Sequence, residues 1–229
     1  MKKVILNISL FVAGVLSFTS CGLDNMDEPE SMLTGNVQYK GQNLNLQGTG
    51  EAIQLQLYQD NYQLHSPITV YVNQQGRFSA KLFNGTYKLV TKDGNGPWVN
   101  KRDTTVVNLN GAAEVNLEVT PYFIVSDAKA NLSGNSISVT FKLSKIVETA
   151  TIDKGIISVG STGLIDGQNA FRAKNIKADA IKVGTNTFRL DLTSDQLSAL
   201  KSKPRMTVRI GVKASQADQA IYSPVMDLK

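Results

Sequence analysis

The chain predicts an all-β protein with two tandem β-sandwich domains, carried behind an apolar leader and a flexible tether. Three observations support this. From residue 32 onward, apolar and polar residues alternate: Ile53, Leu55 and Leu57 are interleaved with Gln54, Gln56 and Tyr58. A period of two is that of a strand with one face buried. Turn-forming pairs such as Asn84-Gly85, Asp93-Gly94 and Asn110-Gly111 break the runs at short intervals. A hydrophobic content of 41% over 229 residues is that of a globular chain with room for two cores.

The leader comes first. Lys2 and Lys3 precede an apolar run from Val4 to Phe18, interrupted only by Asn7, Ser9, Gly14 and Ser17. About 15 apolar residues fall short of the ~20 that a helix needs to cross a bilayer. Small residues then lead to Cys21, the only cysteine of the chain. This arrangement resembles a bacterial lipoprotein signal. The resemblance implies removal of residues 1–20 and lipidation of Cys21. Each buried CH₂ contributes about 0.8 kcal/mol, and two acyl chains anchor stably, so the protein is expected to be held at a membrane without spanning it. Residues 21–30 are acidic, poor in large apolar groups and broken by Pro29. They cannot bury enough surface to order themselves and read as the tether. Such an acidic stretch also resembles the surface-export signal of Bacteroidetes lipoproteins, and a plain solvated linker fits the composition equally.

Residues 31–120 read as the first sandwich, with about seven short strands and no helix. Val70–Val72 and Phe78–Leu82 flank Gln74-Gln75-Gly76. Val106, Val107 and Leu109 precede Asn110-Gly111, and Val115, Leu117 and Val119 follow it. Asn-Gly between alternating runs predicts a tight hairpin, because both residues tolerate positive φ. Thr34-Gly35-Asn36-Val37, Gly76-Arg77-Phe78 and Asn84-Gly85-Thr86-Tyr87-Lys88-Leu89 resemble the landmarks of the transthyretin-like, carboxypeptidase-regulatory-like sandwich. Together with the leader, Gly96-Pro97-Trp98 and Val119-Thr120-Pro121-Tyr122-Phe123, the chain resembles Bacteroidetes outer-membrane lipoproteins found beside SusC- and SusD-like glycan-uptake proteins. That resemblance implies an outer-membrane, cell-surface location and SusC/SusD-like partners.

Residues 121–229 read as a second sandwich, with Pro121 stiffening the junction. Ile137, Val139, Phe141 and Leu143 alternate with polar residues, as do Phe188, Leu190 and Leu192. Met206, Val208, Ile210 and Val212 alternate with Thr207, Arg209, Gly211 and Lys213, which places Arg209 on the polar face. Thr193-Ser194-Asp195-Gln196 has the form of a capping box and predicts a short helix ending before Pro204. Ser158 to Ala180 is polar and glycine-rich, the composition of a long loop or weak edge strands. The last strands resemble a fibronectin type III or immunoglobulin-like module.

The formal charge of +5 is uneven. Residues 21–120 hold 7 basic and 10 acidic groups, residues 121–229 hold 15 and 9. The basic half is scattered over strands without interleaved aromatics, so no nucleic-acid partner is expected. A single cysteine excludes an intrachain disulfide framework. His65, the only histidine, sits in Gln63-Leu64-His65-Ser66-Pro67 without a nucleophile-elbow motif. No histidine- or cysteine-based metal site, calcium loop or phosphate-binding glycine loop is present in the pattern. The expectation is a protein that is not an enzyme and carries no cofactor or metal.

Ligand candidates cluster around the sole tryptophan. Trp98 lies in Asp93-Gly94-Asn95-Gly96-Pro97-Trp98-Val99-Asn100, a loop-like context where recognition residues concentrate. Its ring either stacks on a sugar or caps the sandwich as core. With the ring exposed, Asn95, Asn100 and Arg102 would supply hydrogen bonds, and Tyr62 and Tyr71 a second aromatic platform. These features predict a non-catalytic surface lipoprotein that binds polysaccharide for a SusC/SusD-like system. The alternative is a structural or adhesion subunit that docks a protein partner.

Overall fold

The computed structural model describes residues 27–60 and 65–228. The leader, the anchor at Cys21 and Tyr62 therefore lie outside the described residues. Asp27–Glu30 carry no regular structure and lead directly into the first strand. Among the described residues no helix is long and apolar enough to cross a membrane.

Among the described residues, the first domain contains eight strands: β1 (Ser31–Tyr39), β2 (Gln42–Asn43), β3 (Gln54–Tyr58), β4 (Ile68–Tyr71), β5 (Arg77–Leu82), β6 (Gly85–Thr91), β7 (Thr105–Leu109) and β8 (Ala112–Glu118). One sheet has the order β2-β1-β5, with β8 on the other side of β1, and the second has the order β4-β3-β6-β7. Leu33, Val37, Phe78, Leu82 and Leu117 from the first sheet meet Leu55, Leu57, Tyr87, Leu89 and Val107 from the second, all buried. The alternation seen in the sequence is thus a true in-out pattern. The extra strand beyond the expected seven is β2, which Lys40 (φ 51°) and Gly41 (φ 73°) turn back onto β1. Two successive positive φ values are those of a type I′ hairpin turn.

Asn110-Gly111 is not the hairpin its sequence suggests. Gly111 does take a positive φ of 76°, but β7 and β8 join different sheets, and β8 runs parallel to β1 over seven residue pairs. The turn carries the chain across the sandwich, because Leu109 and Leu117 must both reach the shared core from opposite sheets.

The second domain holds β9 (Phe123–Ser133), β10 (Ser136–Lys145), β11 (Ile152–Gly160), β12 (Arg172–Lys177), β13 (Gly184–Asp191), helix α1 (Ser194–Lys201), β14 (Thr207–Ala214), β15 (Ala220–Tyr222) and β16 (Met226–Asp227). A three-stranded sheet, β13-β10-β9, packs on a sheet ordered β12-β11-β14-β15, with β16 also on β14. Its core includes Phe141, Val139, Ile157, Leu190, Val208 and Ile210. Gly134 (φ 59°) opens the two-residue turn between β9 and β10. Helix α1 starts on the expected capping box: Thr193 Oγ1 accepts from the Gln196 amide, and Gln196 Oε1 accepts from the Thr193 amide.

The two domains share a buried polar junction. Arg209 is only 1% exposed, not on a solvent face. Its guanidinium donates to the carbonyls of Ser223 (2.8 Å), Gln74 (3.2 Å) and Ile165 (3.3 Å) and lies 4.6 Å from the centre of the Tyr222 ring. Burial pushes its pKa down to about 10, against the favourable pull of Tyr222 and Asp166. Asp166 is fully buried and accepts from the amides of Gly48 and Thr49 and from Thr49 Oγ1. Tyr222 N donates to Asn45 O at 2.9 Å. Arg209 on β14 is therefore enclosed between Gln74 of the first domain and Ile165 and Tyr222 of the second, which the strand pattern by itself does not reveal.

Candidate functional site

Trp98, the strongest ligand candidate in the sequence, belongs to the core. The residue is 1% exposed and bridges Pro121, with Val99 N donating to Thr120 O (2.9 Å) and Tyr122 N to Pro97 O (3.0 Å). A Cβ on Gly96 would lie 2.3 Å from the indole, so glycine is what lets the ring fold back over its own loop. A ring so enclosed offers no face to a sugar, and the exposed-platform alternative is corrected to the core-cap alternative.

The polar neighbours of Trp98 hold the loop together. Asn95 Oδ1 accepts from Gln54 N, and Asn95 Nδ2 donates to Ala52 O at 2.8 Å. Asn100 Oδ1 accepts from Gly94 N at 3.0 Å. Arg102 stands 3.6 Å from Asp93 in an exposed ion pair. These three residues build no groove around Trp98. Among the described residues, no group of three His, Cys, Asp or Glu side chains is placed to hold a metal ion. His65 is exposed.

Tyr71 has a different setting. It is 45% exposed and lines a hollow of about 600 Å³ together with Thr34, Asn36, Asn43, Asn73, Arg77, Ser79 and Glu114. The floor is the outer face of the β1 sheet. Strand alternation turns Thr34 and Asn36 outward while Leu33 and Val37 go to the core. Pairing sets Ser79 and Glu114 on either side of Thr34, and Arg77 and Asn116 on either side of Asn36. Three strands abreast make a floor roughly 10 Å across.

The side chains on this floor are ordered before any ligand arrives. Asn36 Nδ2 donates to Asn116 Oδ1 and Asn43 Nδ2 donates to Asn36 Oδ1, each at 2.9 Å. Gln38 Nε2 donates to Asn43 Oδ1 at 2.9 Å. The result is an amide ladder with donors and acceptors left over, since each primary amide has two of each. Asn73 Oδ1 accepts from the Gln75 and Arg77 amides, both at 3.0 Å, a side-chain-closed turn that sets where Arg77 leaves the backbone.

Arg77 and Glu114 share the hollow, yet among the described residues neither forms an ion pair. Hydrogen bonding to the Glu51 carboxylate, then its charge, raises the pKa of the Tyr71 hydroxyl from its ordinary value. The phenol therefore stays neutral over the physiological range. An open polar trough with a half-exposed ring, three amides and unpaired charges of both signs suits a hydroxyl-rich ligand.

Of the ligand candidates from sequence that lie among the described residues, Tyr71 alone lines the hollow. Asn36, Asn43, Asn73, Arg77 and Glu114 went unmarked. Their outward phase in the strand pattern was readable, but the convergence of positions 34, 77 and 114 follows from strand order.

The family model described as "Protein of unknown function (DUF3823) N-terminal domain" matches residues 31–120, and "Domain of unknown function (DUF3823_C)" matches residues 123–227. No curated protein matches. Among solved structures, a DUF3823 family protein from Parabacteroides merdae is 44% identical, with a TM-score of 0.83, over 89% of this chain and 100% of that one. A DUF3823 family protein from Bacteroides ovatus is 29% identical, TM-score 0.77, over 86% and 98%. A Bacteroides uniformis protein named "putative carbohydrate binding protein" shares the fold at 16% identity, TM-score 0.69, over 88% and 99%. With the two family models together matching residues 31–120 and 123–227 and a 44% identical relative covered in full, the chain belongs to the DUF3823 family.

Proposed function

We propose that this protein is a non-catalytic glycan-binding lipoprotein, held at the outer membrane by lipid on Cys21 and serving a SusC/SusD-like uptake system. The observation that carries the binding role is the preordered hollow on the first domain, lined by Tyr71 together with Asn36, Asn43, Arg77 and Glu114. An aromatic face packs on the C–H face of a pyranose, and fixed amides meet its hydroxyls without paying to order rotamers. The name of the Bacteroides uniformis relative points the same way. The lipid anchor and the uptake partners are supported by the leader sequence and its resemblance.

Calorimetry against a panel of xylan, mannan, β-glucan and pectin tests the binding role. Wild type is expected to bind one class, and Tyr71→Ala to weaken that binding by about 10-fold, in keeping with an aromatic anchor. Absence of binding across the panel overturns the reading. Labelling cells with an alkyne fatty acid tests the anchor: wild type takes the label, and Cys21→Ser loses it.

A further inference from the structure

We infer that the hollow beside Arg209, between the two domains, is an anion-binding site that takes the carboxylate, sulfate or phosphate group of a small ligand. It shares no lining residue with the Tyr71 trough and stands without the glycan reading.

This hollow encloses about 380 Å³, at the low end of small-molecule sites. Asn45, Gln74 and Gln75 line it from the first domain, and Gly163, Arg205 and Arg209 from the second. Two arginines and three amide residues thus share one space, and among the described residues no carboxylate lines it. Arg209 is buried, Arg205 half-buried and Gln75 exposed, so the hollow runs from the surface down to the buried guanidinium.

The buried cation lacks a matching anion. Arg209 donates only to neutral oxygens: Ser223 O, Ile165 O, Gln74 O and, at 3.4 Å, Gln74 Oε1. Those bonds occupy four of the five N–H groups of a guanidinium. Among the described residues Arg209 forms no ion pair. Asp166 attracts it from further off but accepts from the amides of Gly48, Thr49 and Gln168 and from Thr49 Oγ1 instead. A buried charge held by neutral dipoles alone is costly.

Arg205 supplies further donors. Its Nε and Nη2 donate to Asp227, and its Nη1 lies 2.8 Å from where a Cβ on Gly163 would stand. The bare glycine therefore leaves room for that nitrogen at the wall of the hollow. An oxyanion seated here brings the counter-charge that Arg209 lacks and accepts from Arg205 Nη1, the charge-assisted pairing that guanidinium groups favour. Because the walls come from both domains, a bound anion also ties one to the other.

Calorimetry with sodium glucuronate, glucose 6-sulfate and glucose 6-phosphate tests the site, with glucose as the neutral control. At least one of these anions is expected to bind saturably and more tightly than glucose, and to raise the unfolding midpoint as its concentration rises. The anion that does so identifies the group. Gln75→Glu puts a carboxylate at the exposed side of the hollow and should weaken that anion about 10-fold, the scale of one charge-assisted hydrogen bond. Arg205→Gln is expected to act in the same direction, and Gln75→Glu carries the test by itself if the arginine variant fails to fold. Tyr71→Ala should leave anion affinity unchanged. Saturable binding of none of the anions, no preference over glucose, or full affinity in Gln75→Glu overturns the site. So does loss of the anion in Tyr71→Ala, which would place it in the other trough.

Discussion

At the scale of single residues, the two tryptophan-loop and groove aromatics have opposite jobs. Trp98 is sealed in the core, whereas Tyr71 is 45% exposed. Trp98→Ala should cost about 3–5 kcal/mol of stability, the usual toll for deleting a large buried aromatic, with sugar affinity intact in the folded fraction. Tyr71→Ala should do the reverse. Thermal melts and calorimetry on both variants separate the roles. Gly35 sets a second residue-scale constraint. A Cβ there would lie 1.9 Å from Val115 O and 2.4 Å from Phe78 Cζ. Backbone must yield on one side and a core ring on the other, so Gly35→Ala is expected to lose about 3 kcal/mol by overpacking and to disturb the floor of the hollow. Urea denaturation reads the loss.

At the scale of elements, local chemistry explains ends and turns better than it explains partners. Helix α1 begins where Thr193 and Gln196 satisfy each other's amides, a contact within four residues that any reader of the sequence can find. Thr193→Ala should cost about 1 kcal/mol, measured as a lower denaturation midpoint with an unchanged slope. Asn110-Gly111 shows the limit of such reading. Its dihedral angles follow from residue type, but whether it closes a hairpin depends on which sheet accepts β8, and β1 offers a longer ladder than β7. The stretch from Ser158 to Ala180 likewise splits. Its start completes β11, its middle buries Ile165 beside Gly160 and Asp166 against Gly48 and Thr49 of the other domain, and β12 is a true edge strand. Glycine-rich composition hides such anchoring, because two buried side chains suffice to fix a loop.

At the scale of the whole molecule, the polar junction joins two sandwiches into one unit. Arg209 reaches across from β14 to Gln74, and Asp166 reaches to Gly48 and Thr49. Arg209→Ala leaves the carbonyls of Gln74 and Ser223 and the carboxylate of Asp166 short of their cation. The expected loss is about 3 kcal/mol; scanning calorimetry is expected to show one transition for the wild type and two for the variant.

Sequence by itself determined the all-β, two-domain class, the phase of the clearly alternating strands, the helix cap and the turn glycines Gly76, Gly94 and Gly111. All of these depend on the nearest few residues, through period-two burial, side-chain capping and glycine's freedom. Tertiary structure decided that Trp98 is core, that Arg209 is buried, and that Thr34, Arg77 and Glu114 meet over one trough. Those outcomes depend on strand order and on one domain covering the face of another. Residues far apart along the chain create them, and no local pattern encodes the distance between two surfaces that fold toward each other.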